Sequence, residues 1–159
     1  MVFVTVRHEV SDAKGLVITD EHDIVYRGES ALAAKDTPAP AGEAWHREIR
    51  PEPVLLFRYS AVTFNSHRIH YDQPYTTKVE GYPGLVVHGP LIATLLIDLL
   101  RRSLPGAVVK RYEFRAMKPL FGTAAFDTCG LPDAAGGCAK LWTRDAAGAV
   151  TMQANATYS

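Results

Sequence analysis

Between Pro90 and about Leu104 the chain reads PLIATLLIDLLRRSL. Wound as a helix, Leu91, Ile92, Leu95, Leu96, Ile97, Leu99 and Leu100 cover almost its whole circumference. The polar positions Asp98, Arg101 and Arg102 gather toward the C-terminal end. A helix that is apolar nearly all round has to be enclosed by protein. Pro90 suits the first helical position, and Pro105-Gly106 closes the element. The apolar run from Leu91 to Leu100 contains Asp98 and is too short to span a bilayer. The rest of the chain is therefore expected to supply the walls around one internal helix.

Those walls are readable downstream. Runs with strand character cover 107–118, 123–131, 138–144 and 149–158, separated by turn signals at Phe121-Gly122, Pro132 to Gly137 and Asp145 to Gly148. Upstream, Val54 to Arg58 reads as a short strand that continues through Tyr59 to Phe64. An antiparallel sheet drawn from 50–64 and 107–158 and wrapped around one long buried helix is the hotdog architecture of the α+β class. At the N-terminus, 2–10 and 16–26 are β-rich runs around a Ser11–Gly15 turn, and 28–44 is rich in Ala, Pro and Gly. The expected division is a hairpin over 1–28, a linker over 29–50 and the main domain over 51–159. A lone sheet of this kind leaves an edge to cover, so a homodimer or larger homo-oligomer is expected.

Charge narrows the partners. Lys plus Arg equals Asp plus Glu at 17 each in 159 residues. A phosphate-binding surface normally carries a basic excess, so nucleic acid is not expected as the partner. No secretory pattern opens the chain, and a cytoplasmic protein that does not enter a membrane is the default. Cys129 and Cys138 could face each other across a hairpin turning at Pro132-Asp133-Ala134; in a reducing compartment they read as two small, partly buried thiols.

Chemistry concentrates in Val62 to Asp72, VTFNSHRIHYD, and in Val87-His88-Gly89-Pro90. The first segment brings histidines and an amide close together. The second opens the apolar helix, whose N-terminus favours negative charge. A base, a water-holding amide and an oxyanion site are parts needed for chemistry on a thioester-activated double bond. His67 and His70 form an H-x-x-H pair, but no well-spaced third ligand accompanies it, so neither a metal nor another cofactor is expected.

The run TFNSHRIHYD followed by YPGLVVHGP resembles the hydratase signature of MaoC-like proteins. The likeness is strongest to the branch containing mesaconyl-CoA and itaconyl-CoA hydratases and mitochondrial hydroxyacyl-thioester dehydratases, and covers about residues 50–158. The resemblance implies two hotdog units in one chain, with the signature in the second. Residues 1–28 would then be the final hairpin of a first unit; a native N-terminal hairpin is the other reading.

The resemblance also assigns residues. His70 falls on the catalytic histidine, and Gly89 on the glycine whose N–H holds the thioester carbonyl. Asn65 falls where simpler enoyl-CoA hydratases carry Asp, and an amide orients water but takes no proton at neutral pH. Thr63, Asp72, Gly84, Val87 and His88 are expected along the substrate, with His88 as a shaper of the loop; His70 has to move the protons itself unless Asp72 or Glu80 shares the work. Arg101, Arg102, Lys110, Arg111, Arg115 and Lys118 read either as a grip on coenzyme A phosphates or as a solvated face. The implied activity is reversible hydration of a 2-enoyl-CoA or acyl-carrier thioester, including branched or dicarboxylic acyl groups. A hotdog thioesterase with Asp98 as its carboxylate and a non-catalytic or truncated partner subunit remain as alternatives.

Overall fold

In the computed structural model, residues 2–26 and 36–159 are described. They belong to two units, divided between Ala33 and Ala34. The first is a two-stranded antiparallel ribbon of β1 (Val2–Asp12) and β2 (Gly15–Tyr26). Its turn is fixed by the Lys14 N–H donating to Asp12 Oδ1 at 2.7 Å and by Gly15 at φ 124°. Phe3, Val10, Leu16, Val17 and Ile18 are all exposed on it. A ribbon of two strands has no interior of its own in which to bury such side chains.

The second unit holds a five-stranded antiparallel sheet in the order β3-β5-β6-β7-β4. Its strands are β3 (Trp45–Ile49), β4 (Val109–Ala116), β5 (Phe126–Pro132), β6 (Cys138–Arg144) and β7 (Val150–Tyr158). The helix α3 (Gly89–Ser103) lies against β3, β5, β6 and β7. Leu91, Ile92, Leu96 and Leu100 of α3 meet Leu141, Met152, Ala154 and Ala156 from the sheet in one buried cluster. Along β7 the residues Met152, Ala154 and Ala156 are buried while Gln153 and Asn155 are exposed, the two-residue alternation of a strand with one covered face. On the sheet's other face Cys129, Trp142 and Val150 form a smaller cluster covered by Ala39. This is the hotdog arrangement expected for 90–104 and its sheet. Thr94, Arg101 and Arg102 are the exposed positions of the helix after Pro90.

Three expectations are corrected. Residues 53–62 are not a strand but a helix, α1 (Pro53–Val62). Pro53 pre-sets the first helical turn, and Leu56 and Ser60, one turn apart, share the buried side. The linker ends earlier than residue 50, because Trp45–Ile49 pairs with β5 as the edge strand β3. Residues 27–35 lie outside those described. The cysteines do not face each other: Cys129 pairs with Trp142 and Cys138 with Thr157, and both thiols are free. The register, with Pro132 opposite Ala139 and Cys129 opposite Trp142, offsets them by four positions along the hairpin. Burial pushes the Cys129 thiol up to about 11, which keeps it protonated and inert.

At the β3–β5 crossing Trp45 sits opposite Gly130. A Cβ at position 130 would come within 2.6 Å of the Trp45 ring and 2.9 Å of Leu141. Glycine is required there by the close approach of the indole. No helix among the described residues is long and apolar enough to cross a membrane.

Candidate active site

The signature segment after α1 folds as a series of tight turns. The Asn65 N–H donates to the Ser60 carbonyl at 2.9 Å and its side-chain Oδ1 accepts from the His67 N–H at 3.0 Å. A single 3-10 turn, Arg68–His70, follows, then the short helix α2 (Gln73–Lys78). Asp72 caps α2 by accepting from the Tyr75 N–H at 3.1 Å, and its other oxygen accepts from Arg68 at 2.8 Å. These contacts, the Tyr75 N–H first and Arg68 second, hold the Asp72 carboxyl below its ordinary range. Glu80 accepts from the Tyr75 hydroxyl at 2.6 Å. Asp72 and Glu80 are thus both hydrogen-bonded within this turn and α2.

The 85–87 segment ties this turn to the loop that carries Leu120. The Val86 N–H donates to the Ile69 carbonyl at 2.9 Å, and the Val87 N–H to the Leu120 carbonyl at 2.9 Å. His70 Nδ1 lies 2.7 Å from the Val86 carbonyl oxygen. A carbonyl only accepts, so Nδ1 carries the hydrogen and Nε2 is left with its lone pair. His70 is 8% exposed. Burial lowers its pKa from the ordinary value; the Val86 carbonyl opposes the shift and the neighbouring His67 adds to it. The result is a neutral imidazole with one basic nitrogen free.

His70, Val87 and Gly89 line one cavity of about 390 Å³, walled by Ile92, Met117 and Met152 among others. That volume falls in the range of about 300–1,000 Å³ typical of small-molecule sites. Gly89 is the first residue of α3, so its N–H has no partner within the helix. A Cβ placed on Gly89 would meet nothing within 4 Å, and the residue borders the cavity. His88, by contrast, is 1% exposed. Its Nε2 lies 2.8 Å from Ser60 Oγ, and its ring stacks on that of His70 with centroids 3.7 Å apart and planes at 17°. Burial first, and the proximity of His70 second, push the His88 pKa down to about 4.

The structure does not bring the remaining expected residues to this cavity. Asn65 lines a separate depression with Phe57, Ser60, Phe64 and Tyr71. Phe64, beside it, is 95% exposed and holds φ 53°, the left-handed region. Thr63 is exposed, its hydroxyl donating to the Tyr59 carbonyl at 2.7 Å. Gly84 is buried, and a Cβ there would approach Thr123 Cγ2 at 2.7 Å. Asp98 accepts from Arg47 at 3.0 Å and Arg102 at 2.6 Å. Of the six basic residues singled out in the sequence, Arg102, Arg111 and Lys118 are ion-paired, whereas Arg101, Lys110 and Arg115 make no ion pair among the described residues. Among the described residues no group of three His, Cys, Asp or Glu side chains is arranged to hold a metal.

Neither Ser60 nor the Val86 carbonyl stands out in the sequence. Reading 54–64 as a strand hides that Ser60 lies one helical turn beyond Leu56 on the buried side, and a backbone carbonyl leaves no mark in a residue pattern.

The fold is shared with the solved MaoC-like dehydratase from Phytophthora capsici, at a TM-score of 0.71 and 17% identity, covering 99% of this chain and 58% of that one. The family model for hydroxyacyl-thioester dehydratase type 2 matches residues 1–122, and the chain belongs to that family. It is 46% identical over 136 residues to the mesaconyl-C(4)-CoA hydratase of Chloroflexus aurantiacus, covering 84% of this chain and 48% of that protein. It is 34% identical over 130 residues to the mitochondrial hydroxyacyl-thioester dehydratase type 2 of Schizosaccharomyces pombe, covering 79% and 43% respectively. The chain spans about half the length of these two relatives.

Proposed function

We propose that this chain carries the water-adding centre of an acyl-thioester hydratase/dehydratase, a hydro-lyase acting on a 2-enoyl thioester. The observation that carries the reading is the pairing, on one open cavity, of a neutral His70 with the free N–H at the start of α3. In the hydration direction His70 Nε2 accepts a proton from water as the water oxygen bonds to Cβ. The electron pair of the double bond moves toward the thioester carbonyl, whose oxygen gathers negative charge. The Gly89 N–H, aligned with the α3 dipole and fixed before reaction, stabilises that oxygen. The proton held by His70 then returns to Cα, closing the cycle without a cofactor. Dehydration is the same path reversed.

The names of the relatives support a coenzyme A or acyl-carrier thioester as substrate, and mesaconyl-CoA is the first acyl group to test. Arg101, Lys110 and Arg115, without an ion pair among the described residues, are candidates for its phosphates. In this reading Asn65 holds the turn that delivers His67 to His70, in place of touching the reacting water. A thioesterase would need a free carboxylate near the helix, and Asp98 is engaged by two arginines. The exposed apolar ribbon β1–β2 supports a homodimer or larger homo-oligomer, for which sedimentation at micromolar concentration is the test; a stable monomer refutes it. The likeness to a bacterial hydratase supports a cytoplasmic site of action.

Hydration of crotonyl-, mesaconyl- and itaconyl-CoA, followed by loss of the enoyl absorbance, tests the function. His70→Ala is expected to lower the rate roughly a hundred- to ten-thousand-fold with the far-ultraviolet circular dichroism unchanged. A variant as fast as the parent on every thioester removes His70 from the mechanism.

A further inference from the structure

Behind His70 lies a second, buried pair that the mechanism leaves unused. Ser60 Oγ and His88 Nε2 are 2.8 Å apart, in two residues that are 5% and 1% exposed. His88 Nδ1 is buried with no hydrogen-bond partner among the described residues. If Nε2 donated to the serine, both the Ser60 hydroxyl hydrogen and the Nδ1 lone pair would go unused. If the Ser60 O–H donates to Nε2, only the Nδ1 hydrogen does. The second arrangement is therefore favoured, and it assigns His88 a single neutral tautomer. A buried nitrogen without a partner is destabilising, and a phenylalanine would occupy similar space without it. Holding His88 here makes sense through what its ring touches.

That ring lies 3.7 Å from the His70 ring on one side and meets the Tyr59 ring edge-on, at 4.9 Å and 64°. His67 meets His70 edge-on at 5.6 Å and 85°. The His70 imidazole is thus held by the Val86 carbonyl at one nitrogen, by His88 across its face and by His67 beside it.

We propose that Ser60 and His88 are positioning residues for His70. The serine hydroxyl fixes the orientation of the His88 ring, and that ring fixes the plane of the His70 imidazole so that Nδ1 stays on Val86 and Nε2 stays available to the cavity. The proposal rests on the reading of His70 as the base, yet its geometric part is measurable without turnover.

The test uses the full chain labelled with 15N-histidine, whose ring nitrogen shifts report the tautomer of each histidine, together with enoyl-thioester kinetics. The parent is expected to show His70 as a single Nδ1–H tautomer. Ser60→Ala, which removes the hydroxyl and adds no bulk, is expected to give a mixture of His70 tautomers. It should also lower kcat about ten- to a hundredfold with KM within about twofold, since a displacement near 1 Å costs that order of rate. Parental His70 shifts together with parental kcat in Ser60→Ala overturn the proposal. Should that variant fail to fold, His88→Phe keeps a ring against His70 and loses the serine bond. In it, mixed His70 tautomers with a lowered kcat support the proposal, and parental values of both overturn it. If the parent hydrates no enoyl thioester while Ser60→Ala still mixes the tautomers, the functional reading fails and the positioning stands.

Discussion

Val86 ties down the turn that carries His70 at two points: its N–H donates to the carbonyl of Ile69, and its own carbonyl takes the Nδ1 hydrogen of His70, at 2.9 and 2.7 Å. Backbone and side chain of the histidine turn are therefore fixed by one residue of the segment that leads into α3. The same contact decides which nitrogen is basic, so tautomer and placement are one structural fact.

The acid limb of activity should reflect this environment. Burial lowers the His70 pKa below its ordinary 6.5, and the base works only when neutral. Activity is therefore expected to persist below pH 6.5 and to fall as pH drops through the depressed value. A kcat/KM profile that loses its activity above pH 6.5 contradicts the assignment.

Stability should follow His88 in the same direction. Its folded pKa is about 4 against 6.5 in the free group, so the unfolded chain binds the proton more readily. The contribution is fully present above pH 6.5 and is lost progressively as pH falls toward 4. Its size is on the order of 3 kcal/mol. Urea denaturation of parent and His88→Phe between pH 7 and pH 4 measures it: the variant should lose less stability over that interval.

Asn65 offers a sharper discrimination. Asn65→Asp keeps an oxygen to accept the His67 N–H, so it is expected to stay within about tenfold of the parental rate. Asn65→Ala loses that contact and should fall further, by up to about a hundredfold if His70 is displaced near 1 Å. Equal rates for the two variants would show that the turn does not depend on the side-chain oxygen.

The core is equally open to test. Leu96 is fully buried at the centre of α3. Leu96→Ala should cost about 2–5 kcal/mol by denaturant titration, through lost transfer and the cavity left behind. A cost under 1 kcal/mol would mean that the helix is not enclosed as described.

Much of this architecture is legible because α3 and strands β4 to β7 carry uninterrupted patterns: leucines around a whole circumference, then apolar runs cut by Gly and Asp turns. The segment Pro53–Val62 is not, since VLLFRYSA is as compatible with a short strand as with a helix, and tertiary packing of Leu56 and Ser60 decides between them. His70 and Gly89 can be located from their motif. The distance between Asn65 and the cavity cannot, because five residues of tight turn place the two on different depressions. The Ser60–His88 contact spans 28 positions of sequence and has no local signal.

The seat of Trp45 on Gly130 has a consequence for how the sheet assembles. Strands β5, β6 and β7 follow one another through short turns, whereas β3 joins β5 from a point some eighty residues earlier. A slip of one residue would set the indole against Cys129 or Leu131, neither of which leaves the vacancy that Gly130 does. The tryptophan thus works as a registration pin, admitting its strand only in one alignment. Pulse-labelled hydrogen exchange during refolding should show the amides of β3 gaining protection after those of β6, with few chains caught in a misaligned edge.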